Sequence, residues 1–183
     1  HPGTTPVSAS LHMDFAELGR EYFRGASEAV PGSHWFIDKM PVNFMYCGII
    51  RKALPKARII HLVRDPMDSC YAIYKTLFNQ AYHFSYDLRE LADYYITYHR
   101  LMQHWHAVMP GVILDVRYED LVSDTEGQAH RILDCCGLQW QPEVLAPDAN
   151  EQPSTTASAA QVREPVHTRS VQQWRKFAAG LEP

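Results

Sequence analysis

The sequence predicts an α/β fold in which a parallel sheet is flanked by helices, and three observations predict it. The run Arg58-Ile59-Ile60-His61-Leu62-Val63 is apolar and rich in β-branched residues, as inner strands of parallel sheets are. It is followed at once by a charged turn and an amphipathic segment in which Met67, Cys70, Tyr71, Tyr74, Leu77 and Phe78 recur at three- and four-residue spacing, one apolar stripe to face a sheet. The same order of strand, charged turn and helix occurs earlier, and a third strand-like run follows the longest helical pattern. Strands that alternate with helices call for a parallel sheet with right-handed crossovers.

Taken in order, residues 1–14 carry loop chemistry, with Gly3-Thr4-Thr5-Pro6 and scattered serines but no apolar period. A helix is predicted from Asp14 to about Ala29, with Phe15, Leu18, Tyr22 and Phe23 on one face, ended by Pro31-Gly32. His34-Trp35-Phe36-Ile37 reads as a strand. Asp38-Lys39-Met40-Pro41 is its charged turn, and a helix runs from Asn43 to about Leu54. After the central strand, Pro66 lacks an N–H and disfavours a helical Asp65, so Asp65 is predicted to cap a helix beginning at Pro66. From Asp87 to Met109 the stripe Leu88, Leu91, Tyr95, Tyr98, Met102, Trp105, Met109 predicts a long helix with its apolar face in the core. Pro110-Gly111 stops it. Val112 to Val116 is the third strand, closing on Arg117-Tyr118-Glu119-Asp120-Leu121, and a helix from about Thr125 to Cys136 ends at Gly137. Residues 146–160, rich in Pro, Ser, Thr, Ala and Asn, read as a linker or, anchored at both ends, as a lid loop. An amphipathic helix around Val171, Trp174 and Phe177 closes the chain.

Composition sets outer limits. At 183 residues, 46% hydrophobic and 21% charged, the chain suits one globular domain spanning 1–183. It has no apolar run long enough for a membrane span and no charged-then-apolar leader. A formal net charge of −4 argues against a surface for nucleic acid, so any anion site is expected to be a local pocket. Cys47, Cys70, Cys135 and Cys136 lack metal-ligand spacing and read as reduced thiols of a cytoplasmic protein. His104 and His106 stand two apart on a predicted helix and diverge, so no metal site is expected.

Arg64 is the first anion candidate. It is predicted at the carboxyl end of a strand and beside a helix N-terminus, where open α/β sheets place their ligands and where backbone N–H groups favour negative charge. A guanidinium can grip phosphate with two charge-assisted bonds. An ion pair that closes a turn is the competing reading of Arg64-Asp65-Pro66.

Four pieces of sequence, in order, resemble the sulfotransferase family: Asp38-Lys39-Met40-Pro41, the run IIHLVRDPMDSCYAIY, Tyr118-Glu119-Asp120-Leu121-Val122, and QVREPVHTRSVQQWRKF. The resemblance covers most of the chain from about residue 34 onward and is strongest to bacterial sulfotransferase domains, with similarity to protein tyrosine sulfotransferases. It implies a P-loop-like α/β fold and transfer of a sulfuryl group from 3′-phosphoadenosine 5′-phosphosulfate to a hydroxyl acceptor. Arg64 matches the arginine that holds the nucleotide 3′-phosphate, and Tyr118 a tyrosine near the nucleotide. Lys39 matches a lysine near the transferring group, where a fixed ammonium stabilises charge developing on the bridging and leaving oxygens. Ser158 lines up with a late-loop serine that approaches the same group. The family's serine eight residues after the arginine is Ala72 here, and Ser69, one helical turn earlier, is its expected substitute. Arg169 and Arg175 are within reach of the nucleotide or are surface charges.

The front of the family pattern is the departure. A strand, a phosphosulfate-binding loop and a helix are expected there, and Gly3-Thr4-Thr5 does not supply them, because no apolar strand precedes it and no helix follows. The general base is unassigned; Glu17, Glu21 and Glu28 lie in the right region without a motif. The expectation is an N-terminally incomplete sulfotransferase domain that holds the 3′-phosphate half of the site and is inactive alone. The alternative is a non-catalytic binding or scaffold module of the same fold. A P-loop kinase is excluded by the lack of G-x-x-x-x-G-K-[ST].

Overall fold

A computed structural model describes residues 12–29, 32, 35–78, 82–146 and 166–181. It divides into two compact units, one of residues 1–57 with 101–108 and one of residues 58–100 with 109–183.

In the first unit, helix α1 (Phe15–Ala29) begins where the Asp14 carboxylate accepts the Glu17 N–H at 2.9 Å, a side-chain cap. A 3₁₀ turn (Asn43–Tyr46) leads into helix α2 (Cys47–Ala53). The two helices meet backbone to backbone: a Cβ on Gly19 would stand 2.0 Å from the Ala53 carbonyl oxygen. Gly48 likewise leaves room for the Trp105 ring, whose Nε1 donates to the Phe44 carbonyl at 2.8 Å. Cys47, buried at 3% exposure, has its thiol pKa pushed up by burial. The segment expected as a strand at 34–37 forms none over its described residues, Trp35 to Ile37. Side chains hold it instead of a backbone ladder. The Phe36 ring lies against Tyr22 and Phe23, and Asp38 accepts hydrogen bonds from Tyr22 Oη and Asn43 Nδ2.

In the second unit, β1 (Ile59–Val63) and β2 (Ile113–Arg117) run parallel, with Ile59 opposite Ile113 and Val63 opposite Arg117. Helix α3 (Pro66–Tyr74) follows β1 and is capped by Asp65, whose carboxylate accepts the Asp68 N–H, with Pro66 in its first turn. It stops four residues short of the expected Phe78. Thr76 turns its hydroxyl back onto the Ala72 carbonyl and its N–H onto Ile73, which tightens the last turn and leaves Leu77 exposed. The long helix α4 (Leu88–Val108) buries Leu91 in this unit, and its residues 101–108, which count with the first unit, bury Met102 there, both on the expected stripe. Where the sequence suggested that β2 would close on residues 117–121, a short helix α5 (Tyr118–Ser123) begins, its acidic Glu119 and Asp120 suiting a helix N-terminus. Helix α6 (Thr125–Cys136) is capped by Asp124 and ended by Gly137 at φ 69°, a left-handed geometry that glycine adopts without strain. The closing segment (Gln173–Gly180) is a 3₁₀ helix. Leu91, Ile113, Val116 and Ala129 form the apolar core of this unit.

All four cysteines are free. Among the described residues no helix is long and apolar enough to cross a membrane.

Candidate functional site

The parallel register builds the site. Val63 and Arg117 are paired, so the next residues, Arg64 and Tyr118, leave the carboxyl ends of adjacent strands at the same level. The Arg64 guanidinium lies over the Tyr118 ring, its carbon 4.8 Å from the ring centroid, and both side chains are half-buried. A cation on an aromatic face in such a setting contributes on the order of 1 kcal/mol. One guanidinium nitrogen, Nη2, donates to the Ser170 carbonyl at 2.5 Å, while Nε is buried with no hydrogen-bond partner among the described residues. A planar cation is thus held on one face and at one nitrogen, with donors left over.

The turn beneath it is fixed from two sides. The Asp65 N–H donates to Glu119 Oε1 at 2.8 Å, tying the end of β1 to the start of α5. Glu119 Oε2 is buried without a hydrogen bond and lies 3.8 Å from Arg117. The Asp65 side chain makes the expected α3 cap, and in place of the competing reading, an ion pair across the Arg64-Asp65-Pro66 turn, Arg64 has a cation–ring contact and a carbonyl.

In the first turn of α3, Asp68 is 1% exposed, which composition and periodicity did not signal. Its carboxylate accepts two backbone N–H groups of the closing segment, Gln172 at 2.5 Å and Trp174 at 3.1 Å. The Tyr71 ring stacks on Phe177 with centroids 5.0 Å apart, and Lys75 Nζ reaches Gln173 Oε1 at 2.8 Å. The expected apolar stripe of α3 therefore meets the closing segment at Tyr71, and the most buried position of its first turn is an acid.

Across the strands, His61 Nδ1 is 2.8 Å from Asp115 Oδ1, its register partner, and His61 Nε2 is hydrogen-bonded to Tyr98 of α4. Burial raises the Tyr98 phenol to about 12. This set braces the sheet against α4.

Of the expected site residues, Arg64 and Tyr118 are brought together. Ser69 sits half-buried in the same first turn of α3, its N–H on the Asp65 carbonyl. Lys39 is exposed in the first unit, beside the Asp38 that Tyr22 and Asn43 engage. Ser158 and most of the expected lid at 146–160 lie outside the described residues, as do Gly3-Thr4-Thr5. Arg175 packs over the neighbouring Trp174 ring, 5.2 Å from its centroid.

A sequence model described as "Sulfotransferase family" matches residues 5–142. An uncharacterized protein of Aquifex aeolicus (strain VF5) is 33% identical over 150 residues, 80% of this chain and 20% of its own length. The omega-hydroxy-beta-dihydromenaquinone-9 sulfotransferase Stf3 of Mycobacterium bovis (strain ATCC BAA-935 / AF2122/97) is 30% identical over 110 residues, 56% of this chain and 28% of its own. Stf3 of Mycobacterium tuberculosis (strain CDC 1551 / Oshkosh) matches to the same extent. The chain thus spans 20–28% of the length of these curated relatives. Among solved structures, a sulfotransferase domain from the curacin biosynthetic pathway shares the fold, with a TM-score of 0.58 at 16% identity over 90% of this chain and 62% of that one.

Proposed function

The chain belongs to the sulfotransferase family, and from that premise we propose that it forms the 3′-phosphate side of a site for 3′-phosphoadenosine 5′-phosphosulfate in an enzyme that transfers sulfuryl to a hydroxyl. The observation that carries the proposal is the Arg64 guanidinium, stacked on Tyr118 at the carboxyl ends of two parallel strands, with a buried Nε that no described group satisfies. A buried donor without a partner costs about 1–3 kcal/mol, and a phosphate oxygen is the chemistry that would relieve it. Ser69 is assigned from the motif to add its hydroxyl; the N–H groups of Asp68 and Ser69 in the first turn of α3 are already taken by Asp65, and Pro66 has none.

The donor supplies a sulfuryl group on a phosphate leaving group. What this chain contributes is grip and charge: Arg64, Tyr118 and Ser69 hold the nucleotide, and Lys39 and Ser158, assigned from their motifs, would steady negative charge on the oxygens at the reacting sulfur. The work is assigned to a single domain, with 146–160 as its lid loop, in the cytoplasm and with no metal. For the acceptor, an omega-hydroxyl compound like the one named for the Stf3 relatives is the first to assay, since exposed Trp35, Ile37 and Met40 flank Lys39 with apolar surface.

A non-catalytic binding module is the second reading, favoured by Ala72 where the family has a serine. The two separate in one experiment on the full-length protein: release of adenosine 3′,5′-bisphosphate from the donor, with and without hydroxyl acceptors. The enzyme reading expects acceptor-dependent release that Lys39→Ala lowers by 100-fold or more, on the order of one transition-state contact. Nucleotide binding without acceptor-dependent release supports the module.

A further inference from the structure

We propose that Asp68 is a positioning residue for Arg64: by holding the backbone of Gln172 and Trp174 it keeps the Ser170 carbonyl on the guanidinium, and so sets the plane in which Arg64 meets a phosphate. This rests on the reading of Arg64 as the 3′-phosphate residue. The connection is continuous. The Asp68 carboxylate accepts the Gln172 and Trp174 N–H groups at 2.5 and 3.1 Å, and two residues before Gln172 the Ser170 carbonyl accepts from Arg64 Nη2 at 2.5 Å. A carboxylate exposed by only 1% is costly to bury unless its oxygens are filled, and here both are filled by backbone donors. It also stands in the first turn of α3 and at the start of the closing 3₁₀ helix, so two sets of N-terminal peptide dipoles favour its charge.

The closing segment would not hold this path unaided. Gln172 has a left-handed backbone at φ 56°, a conformation that costs a non-glycine residue and persists only where its surroundings over-determine it. Asp68 on its N–H, Lys75 on Gln173 and the Tyr71–Phe177 stack provide that determination. Arg64 is then fixed by Tyr118 on its face and Ser170 on its edge. A guanidinium has five N–H donors, and Ser170 occupies one. The remaining donors meet an anion without first losing rotamer freedom, which is how preorganisation strengthens binding.

Asp68→Asn is the test, because it keeps the size but turns one acceptor into an NH₂ group facing an N–H. Phe177→Ala is the second variant; Phe177 is 50% exposed, so the fold tolerates its loss, and it loosens the same segment without touching the buried acid. Calorimetry on the full-length protein compares adenosine 3′,5′-bisphosphate with AMP, and hydrogen exchange reports amides 170–174. The expected result is faster exchange there and a roughly 2- to 12-fold fall in the bisphosphate preference, from one charged side chain set free, with AMP affinity unchanged. In an Arg64→Ala background Asp68→Asn should change the preference no further, since its effect runs through Arg64. Faster exchange with the preference intact, or unchanged exchange in both variants, overturns the inference and leaves the Arg64 site standing. A wild type without the preference, unaffected by Arg64→Ala, overturns the site reading and this inference with it.

Discussion

Replacing Tyr118 separates what its ring does from what its hydroxyl does. The ring lies under the Arg64 guanidinium at 4.8 Å, with both groups half-buried, so the contact belongs between the exposed and desolvated limits of cation–ring attraction, about 0.5 and 2 kcal/mol. We take about 1 kcal/mol. Tyr118→Leu also leaves a small void, so the contact is isolated by a cycle of Tyr118→Leu, Arg64→Met and the double variant, read by urea unfolding with circular dichroism. The expected coupling is about 1 kcal/mol, and Tyr118→Phe, which keeps the face, should retain it. In calorimetry, Tyr118→Leu should weaken adenosine 3′,5′-bisphosphate by roughly 2- to 12-fold through loss of the fixed plane, and Tyr118→Phe should not. A coupling below about 0.3 kcal/mol, or a Phe variant as damaged as the Leu variant, refutes the ring-support argument.

Other outcomes follow from the same geometry. Gly19→Ala gains about 1 kcal/mol of helix propensity but drives a Cβ to 2.0 Å from the Ala53 carbonyl, a backbone obstruction costing about 1–3 kcal/mol or more, so urea unfolding should show net destabilisation. Gly25→Ala in the same helix meets nothing within 4 Å and should stabilise. Tyr98, with its phenol raised to about 12 by burial, keeps its proton in the fold when the unfolded chain has lost it; stability should therefore be full below about pH 10 and fall as pH rises toward 12, and Tyr98→Phe should make that slope shallower, with Tyr22, Tyr94 and Tyr95, also raised, carrying the remainder. Ser69→Ala should weaken bisphosphate by roughly 2- to 12-fold in calorimetry if its hydroxyl stands in for the serine replaced by Ala72, and leave AMP unchanged.

Local chemistry was legible in the sequence where one stretch of chain decides it. Asp65-Pro66 announced both the end of β1 and the cap of α3, and the stripe from Leu88 to Trp105 announced α4. The Arg64 position followed from the strand end alone. The stacking of Arg64 on Tyr118 was not legible: the family resemblance set each near the nucleotide, but register between strands 54 residues apart has no local signal. Trp35-Phe36-Ile37 looked like a strand by composition, yet a run this short is decided by its neighbours, here the rings of α1. Tyr118-Glu119-Asp120 does carry a local signal for the helix found there, two acids in a first helical turn. Asp68 carried none. Its partners lie 104 and 106 residues away and are backbone N–H groups, which every residue but proline possesses.

Arg64 as the 3′-phosphate residue is the central claim, and the nucleotide preference of the full-length protein tests it most directly. Isothermal titration of wild type and Arg64→Ala with adenosine 3′,5′-bisphosphate and with AMP should show tighter bisphosphate binding by wild type. Arg64→Ala should lose about 10- to 150-fold in bisphosphate affinity, the worth of one charge-assisted contact of about 1.5–3 kcal/mol, while circular dichroism shows the fold intact. Equal binding of both nucleotides by wild type, or a preference that survives Arg64→Ala, would contradict the account and make Arg64 a structural cation between Tyr118 and Ser170.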